Sequence, residues 1–253
     1  MAMIERAGAQ IHYDVQGQGP VILLSHGYSA TAGMWDGNAP ALARNHTLVT
    51  WDMRGHGHSS SPEDPALYSE EATLGDMNAI LDAVGAKTAI IGGLSLGGFM
   101  SLAFHRSFPE RVSALLIIAT GPGFRKDEAR ADWNVYAETT AQKLEAKGLD
   151  LLKRMTPEMA SSRHQGAEGL IKAARGMLSQ RDGSVIDSLP GIKVPALIVV
   201  GDRDKQFLNA ADYMAAKIPA ARRVTIAEAG HAVNIDQPAA FDQAVTGFLA
   251  SLT

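Results

Sequence analysis

The chain has 253 residues, 46% hydrophobic, 20% charged and 6% aromatic, enough for one α/β domain with a sizeable core. Its 23 basic and 27 acidic residues lie scattered and leave a formal net charge of −4, which argues against a nucleic-acid footprint or a polybasic membrane surface. With no cysteine, it can hold no disulfide, thiolate metal site or cysteine nucleophile.

The opening stretch MAMIERAGAQIHYD lacks a basic region followed by an apolar run, so no signal peptide is expected. The longest apolar runs, ALLIIA and ALIVV, are strand-sized and far short of a bilayer span. A cytoplasmic protein is the expectation, with no membrane and no nucleic acid as partner, although a cysteine-free chain also suits a periplasmic or secreted protein whose leader has been removed.

In chain order, AQIHYDVQG alternates apolar and polar residues and reads as an antiparallel edge strand. Val21–Leu24, His46–Trp51, Thr88–Gly92, Val112–Ile118, Pro195–Val200 and Arg222–Ala227 read as strands, most of them apolar throughout. Such runs suit strands covered on both faces, as in a parallel sheet. Helices are predicted at Met34–Arg44, Ala72–Val84, Leu96–Ser107, Asn209–Lys217 and Pro238–Leu252. This alternation predicts a doubly wound α/β sheet.

The rhythm breaks between Phe124 and about Ser188, where no strand is evident and 11 basic residues nearly balance 10 acidic ones. We read residues 124–188 as a helical cap, or lid, inserted into a core made of residues 1–123 and 189–253.

Within IIGGLSLGGFMSLAF, Ile90 and Ile91 close a strand, and Leu96, Phe99, Met100, Ala103 and Phe104 then fall on one helical face. Ser95 sits at the turn between them, and Gly93-Leu94-Ser95-Leu96-Gly97 fits the G-x-S-x-G nucleophile elbow. The glycines do not space as a dinucleotide fingerprint, and no Gly-Lys-Ser/Thr phosphate loop exists.

A serine hydroxyl needs a base, and the base needs an orienting group. His231, in EAGHAVNIDQP, lies after the final strand and before the final helix. Asp202 and Asp204, in GDRDKQF, directly follow a buried strand, so either preserves the order Ser…Asp…His. Asp204, further out along the loop, is the expected acid. Asp202 is expected to stabilise the turn through its own backbone. One oxyanion donor follows from the elbow, the backbone N–H of Leu96 at a helix N-terminus.

These motifs resemble the α/β-hydrolase superfamily, in its branch of small esterases and lactonases. SHGYSATAGMW is similar to its His-Gly oxyanion loop, DMRGHGHS to its D-x-R-G-x-G-x-S turn, and GLSLGG to its elbow. GDRD and GHAVNIDQP are similar to its acid and histidine loops. Together, in family order, they run from Ser25 to Pro238. The resemblance implies an α/β-hydrolase fold with a mostly parallel sheet, and a Ser95–Asp204–His231 triad cleaving a small-molecule carboxylic ester or lactone.

It also places the second oxyanion N–H at Tyr28, makes His26 a structural residue, and implies no cofactor. His56 and His58 form an H-x-H pair, but without acidic or histidine partners nearby in sequence no metal is expected. Trp133, Tyr136, Met155, Met159 and Met177 are expected to pack between cap and sheet, one or two of them lining the pocket. Carbon–carbon hydrolases, perhydrolases, a menaquinone-pathway synthase and ligand-binding receptors resemble the same scaffold, and the elbow does not separate them.

Overall fold

The computed structural model describes residues 2–252. Eight strands form one sheet: β1 (Ala2–Arg6), β2 (Ala9–Gln16), β3 (Val21–Ser25), β4 (Thr47–Trp51), β5 (Ala89–Leu94), β6 (Val112–Ile118), β7 (Ala196–Gly201) and β8 (Ala221–Ile226). Their order is β1-β2-β4-β3-β5-β6-β7-β8. Strands β3 to β8 run parallel, and β2 pairs antiparallel with both β1 and β4. The AQIHYDVQ strand is therefore not the edge. β1, which alternation in a five-residue stretch failed to reveal, covers it.

The uniformly apolar strands are explained by what lies on either side. Along β6, Leu115 and Ile117 face one core, while Ala114, Leu116 and Ile118 face the other. The first core also holds Leu74, Met77 and Ile80 of α1 (Glu70–Ala83) and Met100 and Phe104 of α2 (Leu96–Ser107). Across the sheet, Phe241, Val245 and Phe248 of the C-terminal helix Pro238–Ala250 pack with Trp35 and Leu42. Each fully buried side chain of this kind contributes about 1.5–3 kcal/mol.

The predicted helix at Met34–Arg44 is instead a single tight turn, Ala32–Trp35, and a short helix, Ala39–Leu42. Gly37 and Pro40 explain the break, since glycine disfavours a helix interior and proline belongs in a first turn. Between β6 and β7 the chain forms no strand. It contains α3 (Asp127–Lys147), α4 (Glu168–Ala173) and shorter helical turns. After β7 comes α5 (Leu208–Lys217).

This topology locates the site. The chain leaves β3 for β4 on one side and returns to β5 on the other, so β3 and β5 are neighbours with Ser25 opposite Gly93. Their C-terminal loops open side by side at the sheet's switch point, where open α/β sheets bind ligands.

Candidate active site

Strand β5 runs through both glycines to Leu94, two residues beyond the predicted end, and α2 begins at Leu96. The single residue between them, Ser95, has φ 56° and ψ −116°. A non-glycine residue held there costs on the order of 1–3 kcal/mol and persists only where its surroundings fix it. The Ser95 N–H donates to Ile118 O at 2.9 Å, and its carbonyl accepts from Thr120 Oγ1 at 2.7 Å.

Gly97 permits the turn to sit against the neighbouring loop. A Cβ at that position would lie 2.4 Å from Ser25 O and 2.6 Å from His26 O. The Ser95 hydroxyl makes no hydrogen bond among the described residues, and Ser95 lines a cavity.

His231 Nδ1 lies 2.8 Å from Asp204 Oδ2. Asp204 is buried, and its carbonyl accepts from Phe207 N and Leu208 N, which anchors the loop at the start of α5. Asp202, in contrast, is exposed, and among the described residues its carboxylate accepts no hydrogen bond. Main-chain bonds hold the turn in place of its carboxylate: Asp202 N to Ile226 O, Arg203 N to Ala229 O and Asp204 N to Gly201 O. The structure thus brings Asp204, not Asp202, to the histidine. The His231 ring stacks on Phe207 with centroids 5.2 Å apart, and Phe207 shares the cavity wall with Ser95.

The loop after β3 meets the elbow directly, since a Cβ on Gly27 would stand 3.6 Å from Ser95 Cβ. Among the described residues, the N–H groups of Tyr28 and Leu96 have no hydrogen-bond acceptor. The Tyr28 phenol is a tie rather than a cavity wall: it donates to Leu170 O at 2.8 Å.

Three histidines brace this loop, His26 and His56 buried and His164 half-buried, each fixed in its neutral form by one donor and one acceptor. Met53 N donates to His26 Nε2 (2.9 Å), so Nδ1–H donates to Gly27 O (2.7 Å). Ser29 N donates to His56 Nε2 (3.2 Å), leaving Nδ1–H for Arg54 O (3.0 Å). Gly57 N donates to His164 Nδ1 (3.1 Å), and His164 Nε2–H donates to Ser29 O (3.0 Å). Burial pushes His26 down to about 4, His56 well below the ordinary imidazole range, and His164 down as well. His164 comes from the helical segment, so that segment and the loop are joined by imidazole and phenol together. The sequence offered no signal for it, because a lone histidine in a loop has no pattern.

His56 and His58 diverge. The former is buried beside His26 and His164, whereas His58 stands 69% exposed at its side chain near Asp52. His12, Asp52 and His58 do gather, with one ligand atom from each within 4.8 Å of the others. Asp52 is already committed, accepting from Ala32 N, His58 N and His12 Nδ1. Burial alone would raise its carboxyl, but His26, these N–H donors and His12 outweigh that and lower it. The cluster braces the turn, which the Arg54 guanidinium ties to Asp76 of α1 through bonds of 2.6 and 2.8 Å.

The cavity beside Ser95 has a volume of about 130 Å³ and is walled mainly by Phe99, Phe124, Trp133, Leu178, Phe207 and Ala210. Of the five residues singled out in the helical segment, only Trp133 lines it. Its indole N–H donates to Leu178 O at 2.7 Å. Tyr136, about half-exposed, packs its ring against Trp133 with centroids 5.2 Å apart, Met155 is about half-exposed, Met159 is half-buried and Met177 is buried. Phe124, Gln180 and Gln206 join the cavity from loops, where hydrophobic periodicity carries no information.

A sequence model of the alpha/beta hydrolase family matches residues 21–244. The 3-oxoadipate enol-lactonase 1 of Acinetobacter baylyi is 27% identical over 98% of this chain and 96% of its own. A candidate 2-succinyl-6-hydroxy-2,4-cyclohexadiene-1-carboxylate synthase of Bacillus subtilis is 25% identical over 96% of each chain. Among solved structures, a thermophilic esterase from Thermogutta terrifontis with malate bound superposes with a TM-score of 0.80 at 26% identity, covering 99% of this chain and 97% of its own. Among the described residues, no helix is long and apolar enough to cross a membrane.

Proposed function

Because the chain belongs to the alpha/beta hydrolase family, we propose that it is a serine hydrolase cleaving a carboxylic ester or lactone through an acyl-enzyme. The observation that carries this reading is Ser95 itself, held at φ 56° between strand and helix with a free hydroxyl at a cavity. Such strain is retained where an exposed nucleophile is needed.

In this reading His231 takes the Ser95 proton as Oγ attacks the carbonyl carbon. Asp204 occupies Nδ1 at 2.8 Å, which keeps the proton there and leaves Nε2 as the basic nitrogen. The N–H groups of Leu96 and Tyr28 receive the oxyanion, helped by the α2 N-terminus. His231 returns its proton to the leaving oxygen, and water, deprotonated in the same way, releases the acid. The segment 124–188 acts as the cap over this cavity.

The likeness to the Bacillus candidate synthase supports a second reading, a lyase using the same residues. That product is, by its name, a succinyl-bearing carboxylate, and a cavity without a charged wall residue favours an uncharged ester or lactone over it.

Hydrolysis of short p-nitrophenyl esters tests the proposal. Removing general-base assistance is worth about 10²–10⁴-fold, so Ser95→Ala and His231→Ala should each lose at least roughly 10³-fold in kcat/KM. A loss below about tenfold in either would refute it.

A further inference from the structure

The cavity beside Ser95 is polar only through neutral groups. None of its lining residues is Asp, Glu, Lys, Arg or His. Thr120 Oγ1 is engaged with Ser95 O, and Gln180 Oε1 accepts from Phe124 N at 3.2 Å, which leaves the Gln180 amide N–H₂ as a neutral donor. The arginines next to the wall are engaged by other groups. Arg125 pairs with Asp187 at 2.6 Å and Arg181 with Glu71 at 2.7 Å. Arg130, on α3, pairs with Asp127 and also donates to the carbonyls of Phe124 and Arg125. Lys205, next to Gln206, is exposed and does not line the cavity.

An unpaired carboxylate buried among these rings would lose its hydration with nothing to replace it. Size adds a second limit. At about 130 Å³ the space is close to the roughly 150 Å³ of an apolar cavity known to hold benzene, and rings of Phe99, Phe124, Trp133 and Phe207 surround it.

We infer that this cavity selects an uncharged acyl group of about the size of one ring or a short branched chain, and rejects acyl groups ending in a carboxylate. The inference rests on the serine-hydrolase reading for the identity of the bound group, but its selectivity is a property of the walls. Gln206 and Ala210 are the specificity-determining positions, because they line the cavity from the loop before α5 and its first turn without holding any charge. A guanidinium at either supplies what the cavity lacks.

The test compares two esters of equal heavy-atom count and branching, methyl 4-methylpentanoate and monomethyl succinate. Turnover is followed with a pH-stat, and binding to Ser95→Ala protein by calorimetry. The wild type should favour the neutral ester by about 100-fold or more in kcat/KM, and Ser95→Ala should show the same order in Kd. Gln206→Arg, at an exposed position, should raise turnover of monomethyl succinate at least about tenfold. Ala210→Arg, should the first substitution miss the cavity, should do the same.

Equal or better turnover and binding of monomethyl succinate by the unmodified cavity would overturn the inference while leaving the serine chemistry intact. Tight, selective binding of the neutral ester without turnover of either would sustain it and count against the hydrolase reading instead.

Discussion

His231 Nδ1 and Asp204 Oδ2 stand 2.8 Å apart, while Asp202, two residues away on the same loop, faces solvent. This separation assigns different consequences to two chemically identical substitutions. Asp204→Asn replaces an acceptor with an amide able to donate, favouring the wrong imidazole tautomer. It should lower kcat by about 10³-fold or more. Asp202→Asn should change kcat less than about threefold. Steady-state kinetics on one short ester checks both, and the reverse ranking would move the acid role to Asp202.

The elbow glycines give a structural prediction independent of activity. A Cβ on Gly97 would press on the carbonyls of Ser25 and His26, neither of which is the movable end of a side chain. Gly97→Ala should destabilise by about 2 kcal/mol or more, whereas exposed Gly37, with nothing within 4 Å, should tolerate alanine within about 0.5 kcal/mol. Urea unfolding of the two variants beside the wild type measures the contrast.

Much of this was legible in the sequence, for a physical reason. Runs such as VSALLII announce strands because both faces of the sheet are covered, and G-x-S-x-G announces a turn that few other residues permit. What was illegible depends on contacts rather than pattern. Chain order left Asp202 and Asp204 equal, and the place of Asp204 further out along the loop favoured it. No pattern showed that main-chain bonds, not the Asp202 carboxylate, hold the turn. Phe124, Gln180 and Gln206 line the cavity from loops without period, and the His164 link to Ser29 spans 135 positions. The apolar spacing of Met34–Arg44 suits a helix, but Gly37 and Pro40 divide it into a tight turn and a short helix.

The three bracing histidines predict how stability depends on pH. Their folded values lie below the unfolded one, about 6.5, with His26 near 4. As pH falls through about 6.5 the unfolded chain binds protons that the native chain refuses, so stability is full above that point and is lost below it. Each histidine contributes up to about 1.4 kcal/mol per pH unit until its folded value is reached, on the order of 3 kcal/mol in all for fully buried His26. The urea midpoint should therefore fall markedly between about pH 7.5 and about pH 5, above the range where carboxylates titrate. Equal midpoints would show that these imidazoles are not held neutral.

The alcohol at the strand–helix junction can be interrogated without knowing any substrate. Folded protein incubated with a fluorophosphonate, then digested and mapped by mass spectrometry, should carry one phosphonyl group on Ser95, with labelling slowed at least about 10²-fold in His231→Ala. Native protein that stays unlabelled, or that carries the group on another residue, would contradict the account.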